Sequence, residues 1–203
     1  MINSIQFIKY LLLRLKENLQ NEKAIFELCK RLDNADIRHP FIIRSPQNFY
    51  SGKNLLVQAG CFFHCGGFAW SKFEGKIVVG DNCWFSENNL LYGAGEIEIG
   101  NFTGTGPGVM MFSSRDNYSM EHAFKEHIVH DFGKIRIGNH VRIFAGVIIG
   151  PGITIGDGAV IGAGSVVLGD VPAWTLVGGV PARVIKKRDI DMSLNDGRPE
   201  DVE

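Results

Sequence analysis

Between residues 135 and 167, branched aliphatic side chains recur at every sixth position. A period of six fits neither an α-helix, which turns every 3.6 residues, nor the two-residue alternation of a flat strand. The position after each aliphatic is glycine in four of six cases, and the fourth position after it is small or β-branched. The six aliphatics are Ile137, Ile143, Ile149, Ile155, Ile161 and Val167.

This period predicts a chain that turns one corner of a triangular prism every six residues. Three faces then make a coil of about 18 residues, with each aliphatic directed at the prism axis and glycine at the bend. Successive coils stack as parallel strands about 4.8 Å apart, which makes the segment a β-solenoid. The expected stacked pairs are Ile137 with Ile155, Ile143 with Ile161, and Ile149 with Val167.

Shorter runs of the same period precede this segment. One register holds Val79, Phe85, Leu91 and Ile97, and a second, shifted by two residues, holds Ile99, Thr105 and Met111. Between Met111 and Ile135 the period fails, and the intervening polar stretch carries His122, His127 and His130. We expect residues 112–134 to form a loop that protrudes from one corner, and long loops in compact repeats are usually functional or disordered.

The two ends of the chain lack the six-residue period. Residues 1–38 contain apolar residues spaced by three and four, as in Ile8, Leu12, Leu15 and Leu19, which predicts two short amphipathic helices. Such helices pack on the protein, on a sister subunit or on a membrane surface. The solenoid is expected over 39–188, and the polar, acidic residues 189–203 are expected to form a flexible tail.

Composition excludes several classes of protein. Lys and Arg number 21 against 22 Asp and Glu, so the net charge of −1 argues against a general nucleic-acid binder. The longest apolar runs are shorter than the roughly 20 residues that span a bilayer. Four cysteines in 203 residues do not form a disulfide framework, and reduced, buried thiols predict a cytoplasmic protein.

The segment IRIGNHVRIFAGVIIGPGITIGDGAVIGAGSVVLGDVPAWTLVGGVPARVIKK resembles the C-terminal half of the hexapeptide-repeat acyltransferases. The resemblance covers residues 77–111 and 135–187. It implies an all-β fold, a left-handed parallel β-helix with an N-terminal helical segment and a protruding loop. It also implies acetyl-CoA as acyl donor, a sugar or polysaccharide precursor as acceptor of the acetyl group on a hydroxyl or amine, and a homotrimer with CoA between neighbouring prisms.

The same resemblance assigns the CoA contacts. Small residues at the corners would expose backbone amides to pantetheine, and two cations would pair with the phosphates. The positions implied are Ala145, Gly146, Gly162, Ala163, Gly178, Gly179, Arg183 and Lys186. The chain departs from the family at Arg142, where relatives usually have Trp, and at Phe144, where they usually have Gly.

The chain also departs from the family at the position of the general base. The family typically places a His at the start of the protruding loop, and this position is Asp116 here. A base must take the proton of the attacking hydroxyl, and imidazole suits this because it titrates near neutral pH. The candidates are His122, followed by Asp116 itself, and then His127 or His130. A chain without catalysis is the remaining alternative.

Three aromatic residues, Trp84, Tyr92 and Tyr118, are candidates for stacking on a sugar. Two further functions remain open beside the sugar acetyltransferase. A γ-carbonic-anhydrase-like metal protein would use the same fold, but it needs three histidines from neighbouring coils. Since His122, His127 and His130 lie in the loop instead, no metal is expected. A catalytically impaired trimeric scaffold or CoA-binding protein is motivated by the missing family His.

Overall fold

A computed structural model describes residues 4–72, 74–119 and 129–188 of the chain. A single helix, α1, runs from Ser4 to Cys29, so the expectation of two short helices is wrong. Strands follow from Asp36 onward, and the first of them lies inside the segment 1–38 that the sequence analysis assigned to helices. The described part of the chain is therefore one helix followed by short strands.

Three parallel sheets form the faces of a prism, and the chain visits them in the order 1, 2, 3. Sheet 1 contains β1 Asp36–Ile37, β4 Leu56–Val57, β7 Trp84–Phe85, β10 Gly104–Thr105, β15 Arg142–Ile143, β18 Val160–Ile161, β20 Thr175–Gly178 and the antiparallel β21 Arg183–Lys187. Sheet 2 contains β2 Ile42–Arg44, β5 Phe62–His64, β8 Leu90–Tyr92, β11 Met110–Phe112, β16 Ile148–Ile149 and β19 Val166–Val167. Sheet 3 contains β3 Phe49–Ser51, β6 Ile77–Val79, β9 Ile97–Ile99, β14 Ile135–Ile137 and β17 Thr154–Ile155.

The predicted stacking of the C-terminal coils is confirmed. The aligned pairs are Ile137 with Ile155, Ile143 with Ile161, and Ile149 with Val167. All six side chains are buried, and so are the small residues four positions further along each hexad. The earlier registers also stack on each other, as in Phe85 beside Thr105 and Leu91 beside Met111.

We name each corner of the prism by the two sheets that it joins, so corner 1–2 lies between sheets 1 and 2. Variation in coil length is confined to one of the three corners. Six residues separate core positions across corner 1–2, as from Ile143 to Ile149, and across corner 3–1, as from Ile137 to Ile143. Across corner 2–3 the spacing changes from coil to coil. Phe63 is followed on sheet 3 by Val79, and Met111 is followed by Ile137. Corner 2–3 therefore carries the insertions of the solenoid.

Corner 3–1 carries a ladder of Asn and Asp side chains, each of which follows a glycine in the sequence, as in Gly100-Asn101 and Gly156-Asp157. Each side-chain oxygen accepts a hydrogen bond from a backbone N–H of the preceding coil, as Asp157 Oδ1 does from Asn139 at 2.6 Å. A Cβ on Gly138 would lie 2.2 Å from that oxygen, so glycine is required there for close approach. The positive φ angles fall two residues later, at His140 and its equivalents, rather than at the expected bend glycine.

The inner end of α1 covers the first coil of the prism. Ile25 and Leu28 are buried in the same core cluster as Phe41, Ile43 and Phe49. Burial of such side chains stabilises a fold by about 1.5–3 kcal/mol each, which anchors this end of the helix to the solenoid.

Candidate active site

Residues from two insertions at corner 2–3 and from adjacent strands of sheet 2 line a cavity of about 440 Å³. We call it the corner pocket, and its lining residues are Trp70, Tyr92, Phe112, Ser114, Arg115, Asp116 and His130. The first insertion follows β5, and the second follows β11. The pocket combines aromatic rings with an acid and an imidazole, which is the composition of a site for a small polar ligand.

The second insertion contains an antiparallel hairpin of β12, Ser114–Asp116, and β13, His130–Phe132. Asp116 lies directly opposite His130, and Asp116 Oδ1 is 3.0 Å from His130 Nδ1. The His130 side chain is 23% exposed and the Asp116 side chain 70%. When Nδ1–H donates to the carboxylate, Nε2 of the neutral imidazole is an acceptor for a proton.

Polar contacts hold this hairpin in register next to the dyad. The Asn117 side-chain amide donates to Asp131 Oδ1 at 2.9 Å, and the Asn117 backbone N–H donates to the Val129 carbonyl at 2.7 Å. Arg115 Nε lies 3.5 Å from Asp131 Oδ2. These contacts fix the relative position of the two strands, and thereby the pairing of Asp116 with His130.

An aromatic cluster supports the imidazole from the sheet side. The Trp70 ring centroid lies 5.0 Å from that of His130, and Tyr92 packs against Phe112 at 5.7 Å. Beneath them, His64 stacks on Tyr92 with centroids 5.2 Å apart and an interplanar angle of 5°. Burial lowers the pKa of His64, which favours its neutral form.

Trp70 is presented by a short 3₁₀ turn, Ala69–Ser71, within the first insertion. The Ser71 hydroxyl closes this turn by accepting a hydrogen bond from the Phe68 N–H at 3.2 Å. At the base of the insertion, Gly66 has a φ of +75°, and a Cβ there would lie 2.5 Å from the Glu74 carbonyl oxygen. The Trp70 ring remains 38% exposed, so it has a free surface for a ligand.

The residues assigned to CoA lie together along corner 1–2. The Gly146 N–H bonds to the Pro107 carbonyl, and the Gly164 N–H bonds to the Ala145 carbonyl, so consecutive coils stack there. Arg183 lies opposite Gly178 in the β20–β21 pair, at this corner, while Lys186 lies opposite Leu176 on sheet 1. The positions that the resemblance assigns to CoA are Ala145, Gly146, Gly162, Ala163, Gly178 and Gly179, with Arg183 and Lys186 beyond them.

The two family departures have different structural outcomes. The Arg142 guanidinium packs over the Trp84 ring at 4.3 Å and donates to the Phe102 carbonyl at 2.5 Å. Arg142 is thereby held on sheet 1. Phe144 is half exposed beside Ala145, so its ring borders the surface to which the resemblance assigns pantetheine.

The structure separates the candidate acceptor residues. Tyr92 lines the corner pocket, whereas Trp84 lies on sheet 1 beneath Arg142 and is not among the residues that line this pocket. Tyr118 follows the hairpin strand, is 81% exposed and packs beside Arg115. His122 and His127 lie outside the described residues. The described residues contain no group of three potential metal-ligating side chains.

Sequence reasoning missed Trp70 and ranked His130 below His122. The pairing of Asp116 with His130 is a result of the antiparallel register of β12 and β13, and the short polar segments SRD and HDF carry no alternation that predicts it. Trp70 gave no signal either, because its segment has no period.

The described chain is a parallel β-helix with a pocket of aromatic, acidic and imidazole side chains at one corner. The family model for the bacterial transferase hexapeptide, with six repeats, matches residues 134–169. The dTDP-4-amino-4,6-dideoxy-D-glucose acyltransferase of Escherichia coli is 30% identical over 146 residues, which cover 70% of this chain and 72% of that protein.

Solved structures show the same fold. An N-acyltransferase from Bacillus cereus, AntD, in a complex with dTDP and coenzyme A, superposes with a TM-score of 0.67 at 24% identity, over 82% of this chain and 90% of that chain. A maltose O-acetyltransferase from Clostridium difficile gives a TM-score of 0.51 at 29% identity, over 77% and 67%.

The chain belongs to the hexapeptide-repeat acyltransferase family. The expected left-handed parallel β-helix with an N-terminal helical segment is confirmed, and so is the activity class, acyl transfer.

Proposed function

We propose that the protein transfers an acetyl group from acetyl-CoA to a hydroxyl or amine of a sugar, with His130 as general base. The observation that carries this proposal is the Asp116–His130 pair in the aromatic corner pocket. Relatives have their catalytic His at the position of Asp116. Because His130 supplies an imidazole beside Asp116, the absence of that His no longer favours a non-catalytic scaffold.

The chemistry assigned to His130 is a proton transfer at Nε2. The acceptor oxygen or nitrogen attacks the acyl carbonyl carbon and loses its proton to Nε2. A C–O or C–N bond forms, the C–S bond breaks, and the proton passes from the imidazolium to the leaving sulfur. Asp116 holds Nδ1–H throughout, so it fixes the tautomer and stabilises the imidazolium.

Corner 1–2 fits CoA on two counts. A Cβ on Gly164 would meet no atom within 4 Å, so this edge of the solenoid is open to a ligand. Arg183 and Lys186 add two exposed cations near the same edge, where they would bond phosphates. The thioester of acetyl-CoA supplies the activated acyl group. Relatives crystallised with coenzyme A and with acetyl-CoA support this assignment.

A homotrimer completes the site in this proposal. Corners 1–2 and 2–3 lie at opposite ends of the sheet 2 strands, so one chain does not bring the CoA edge to its own corner pocket. In a closed ring, the CoA edge of one protomer lies beside the pocket of the next. An outward apolar column on sheet 2 favours such packing, and it consists of Ile42, Phe62, Leu90, Met110, Ile148 and Val166.

The acceptor is a sugar that packs on Trp70 and Tyr92, because aromatic faces suit the apolar faces of pyranose rings. The E. coli relative is named for a nucleotide-linked amino sugar, which supports a sugar that is a precursor of a surface polysaccharide. The buried thiols of Cys61, Cys65 and Cys83 are free in the structure, which supports a reducing, cytoplasmic compartment.

The test is acetyl transfer to a panel of sugars and nucleotide-linked sugars, followed through release of free thiol. His130→Ala should lower kcat by about 10²–10⁴-fold while leaving CoA affinity unchanged, and Asp116→Asn should have a smaller effect. His140→Ala is the matched control, because His140 stacks on Phe102 at corner 3–1, away from the pocket. Full turnover in His130→Ala would refute the assignment and make His122 the next candidate.

Among the residues that the structure describes, none from the N-terminal helix lines the corner pocket, and contact of this helix with a membrane surface is a separate proposal.

A further inference from the structure

The helix α1 has two apolar faces, and the solenoid covers one of them. Near its C-terminal end, Ile25 and Leu28 are buried, and the Asn21 amide donates to the Phe41 carbonyl at 2.7 Å. The rest of the helix, residues 8–20, extends away from this contact, and nearly every side chain there is exposed. We call residues 8–20 the outer half of α1.

The exposed apolar residues of the outer half form a continuous stripe. At about 100° per residue, Ile8, Leu12, Leu15 and Leu19 fall within an arc of about 60°. Their exposed fractions are 55, 61, 64 and 72%. Leu28 lies about 170° from the centre of this arc. The stripe therefore faces away from the surface that the solenoid covers.

The charges beside the stripe are cationic. Lys9 and Lys16 lie one heptad apart on the same flank, within about 90° of the stripe centre. Glu17 is the acidic residue of the outer half, and it projects from the opposite side of the helix. Further along, Glu22 interrupts the stripe and lies 3.4 Å from His39 Nδ1. The apolar stripe of the outer half thus has positive charge along its edge and no acid within it.

We propose that the outer half of α1 docks on an anionic lipid surface, with the stripe in the acyl boundary and Lys9 and Lys16 at the headgroups. This arrangement is that of an interfacial helix. Among the described residues, no helix combines the length and the hydropathy of a membrane span. In the proposed trimer, each protomer carries one such helix at the same end of its prism. Three helices that bind one membrane together raise the overall affinity through avidity.

A second copy of this chain fits the stripe less well. Ile8, Leu12, Leu15 and Leu19 match the core positions of a coiled coil, in which flanking charges pair across the seam. The flank opposite Lys9 and Lys16 offers no acid, since Leu11 and Asn18 occupy it. Continuing the seam would also place Glu22 at a core position. An anionic surface instead complements the lysines.

Co-sedimentation of the full-length protein with vesicles tests the proposal. We expect binding to phosphatidylcholine vesicles that contain phosphatidylglycerol, weaker binding to phosphatidylcholine alone, and a loss of binding with added salt. Leu12→Glu should lower the partition coefficient at least tenfold. Tyr10→Glu is the matched control, because Tyr10 is equally exposed but faces the opposite side, and it should bind more tightly than Leu12→Glu.

A second variant tests the lysines. Lys9→Gln/Lys16→Gln should weaken binding to the anionic vesicles by about 25-fold, at about fivefold for each charge, while circular dichroism verifies the fold. Equal binding to both vesicle types, or equal losses in Leu12→Glu and Tyr10→Glu, would overturn the proposal. Absence of vesicle binding together with an assembly that Leu12→Glu dissociates would identify a second copy as the occupant. Activity on a soluble sugar is measured separately, so failure of either proposal is distinguishable.

Discussion

Alanine at Gly138 and alanine at Gly150 should have opposite effects on stability, although both glycines follow a core isoleucine. At Gly138 a Cβ would lie 2.2 Å from Asp157 Oδ1 and 2.7 Å from the Asp157 backbone nitrogen. The side chain of Asp157 must move, which breaks its 2.6 Å hydrogen bond from the Asn139 N–H. Overpacking against backbone costs about 1–3 kcal/mol and the hydrogen bond about 1 kcal/mol more. We therefore expect Gly138→Ala to destabilise the protein by about 2–4 kcal/mol.

At Gly150 the nearest atoms to a Cβ would be Leu168 Cδ2 at 3.5 Å and the Val167 carbonyl oxygen at 3.6 Å. These are ordinary contacts, so Gly150→Ala should be neutral or should stabilise by about 0.4–1 kcal/mol through the unfolded chain. Urea unfolding followed by circular dichroism measures both, at matched protein concentration because association adds stability. Equal losses in the two variants would refute the explanation by close approach at corner 3–1.

Three further predictions test the core, the aromatic cluster and the CoA edge. Ile161→Ala should cost about 2–5 kcal/mol in urea unfolding, and a loss below about 1 kcal/mol would contradict the register. Ile148→Ala should instead weaken the assembly, because Ile148 lies in the outward column that the proposed trimer covers. Folding lowers the pKa of His64, so near and below pH 6.5 the unfolded chain binds more protons than the folded chain, and the free energy of unfolding should fall as the pH drops below about 6.5. His64→Phe should reduce this dependence of the unfolding free energy on pH. An unchanged pH dependence in that variant would exclude His64 as its cause. Arg183→Glu/Lys186→Glu should weaken CoA binding by about 1–3 kcal/mol in calorimetry, and unchanged affinity would remove both residues from the site.

The solenoid was predictable because its register depends on local spacing. An aliphatic at every sixth position specifies both the buried side chain and the residue it stacks on, so Ile143 and Ile161 were paired without a structure. Even the two-residue shift between Leu91 and Ile99 was visible, and it corresponds to a longer corner 2–3 in that coil. Repeats with nearest-neighbour contacts carry their fold in the sequence in this way.

The site was less predictable because it depends on contacts between two insertions that have no period. The pairing of Asp116 with His130 follows from the antiparallel register of the hairpin, not from sequence distance. Trp70 reaches the same pocket from a different coil, through the stacking of β5 under β8. The single helix α1 was missed because the apolar spacing changes from the exposed stripe to the buried face near Asn21.

Confinement of the insertions to corner 2–3 separates the length of the segments that line the corner pocket from the stability of the scaffold. The strands before and after each insertion keep their partners, as β11 and β14 do on either side of the hairpin. Each doubling of such a loop costs only about 0.6 kcal/mol in closure entropy. We therefore expect that residues 65–75 and 113–134 can be replaced by the corresponding segments of a relative. Replacement of both segments should transfer acceptor preference, while the melting temperature of the recipient protein changes little.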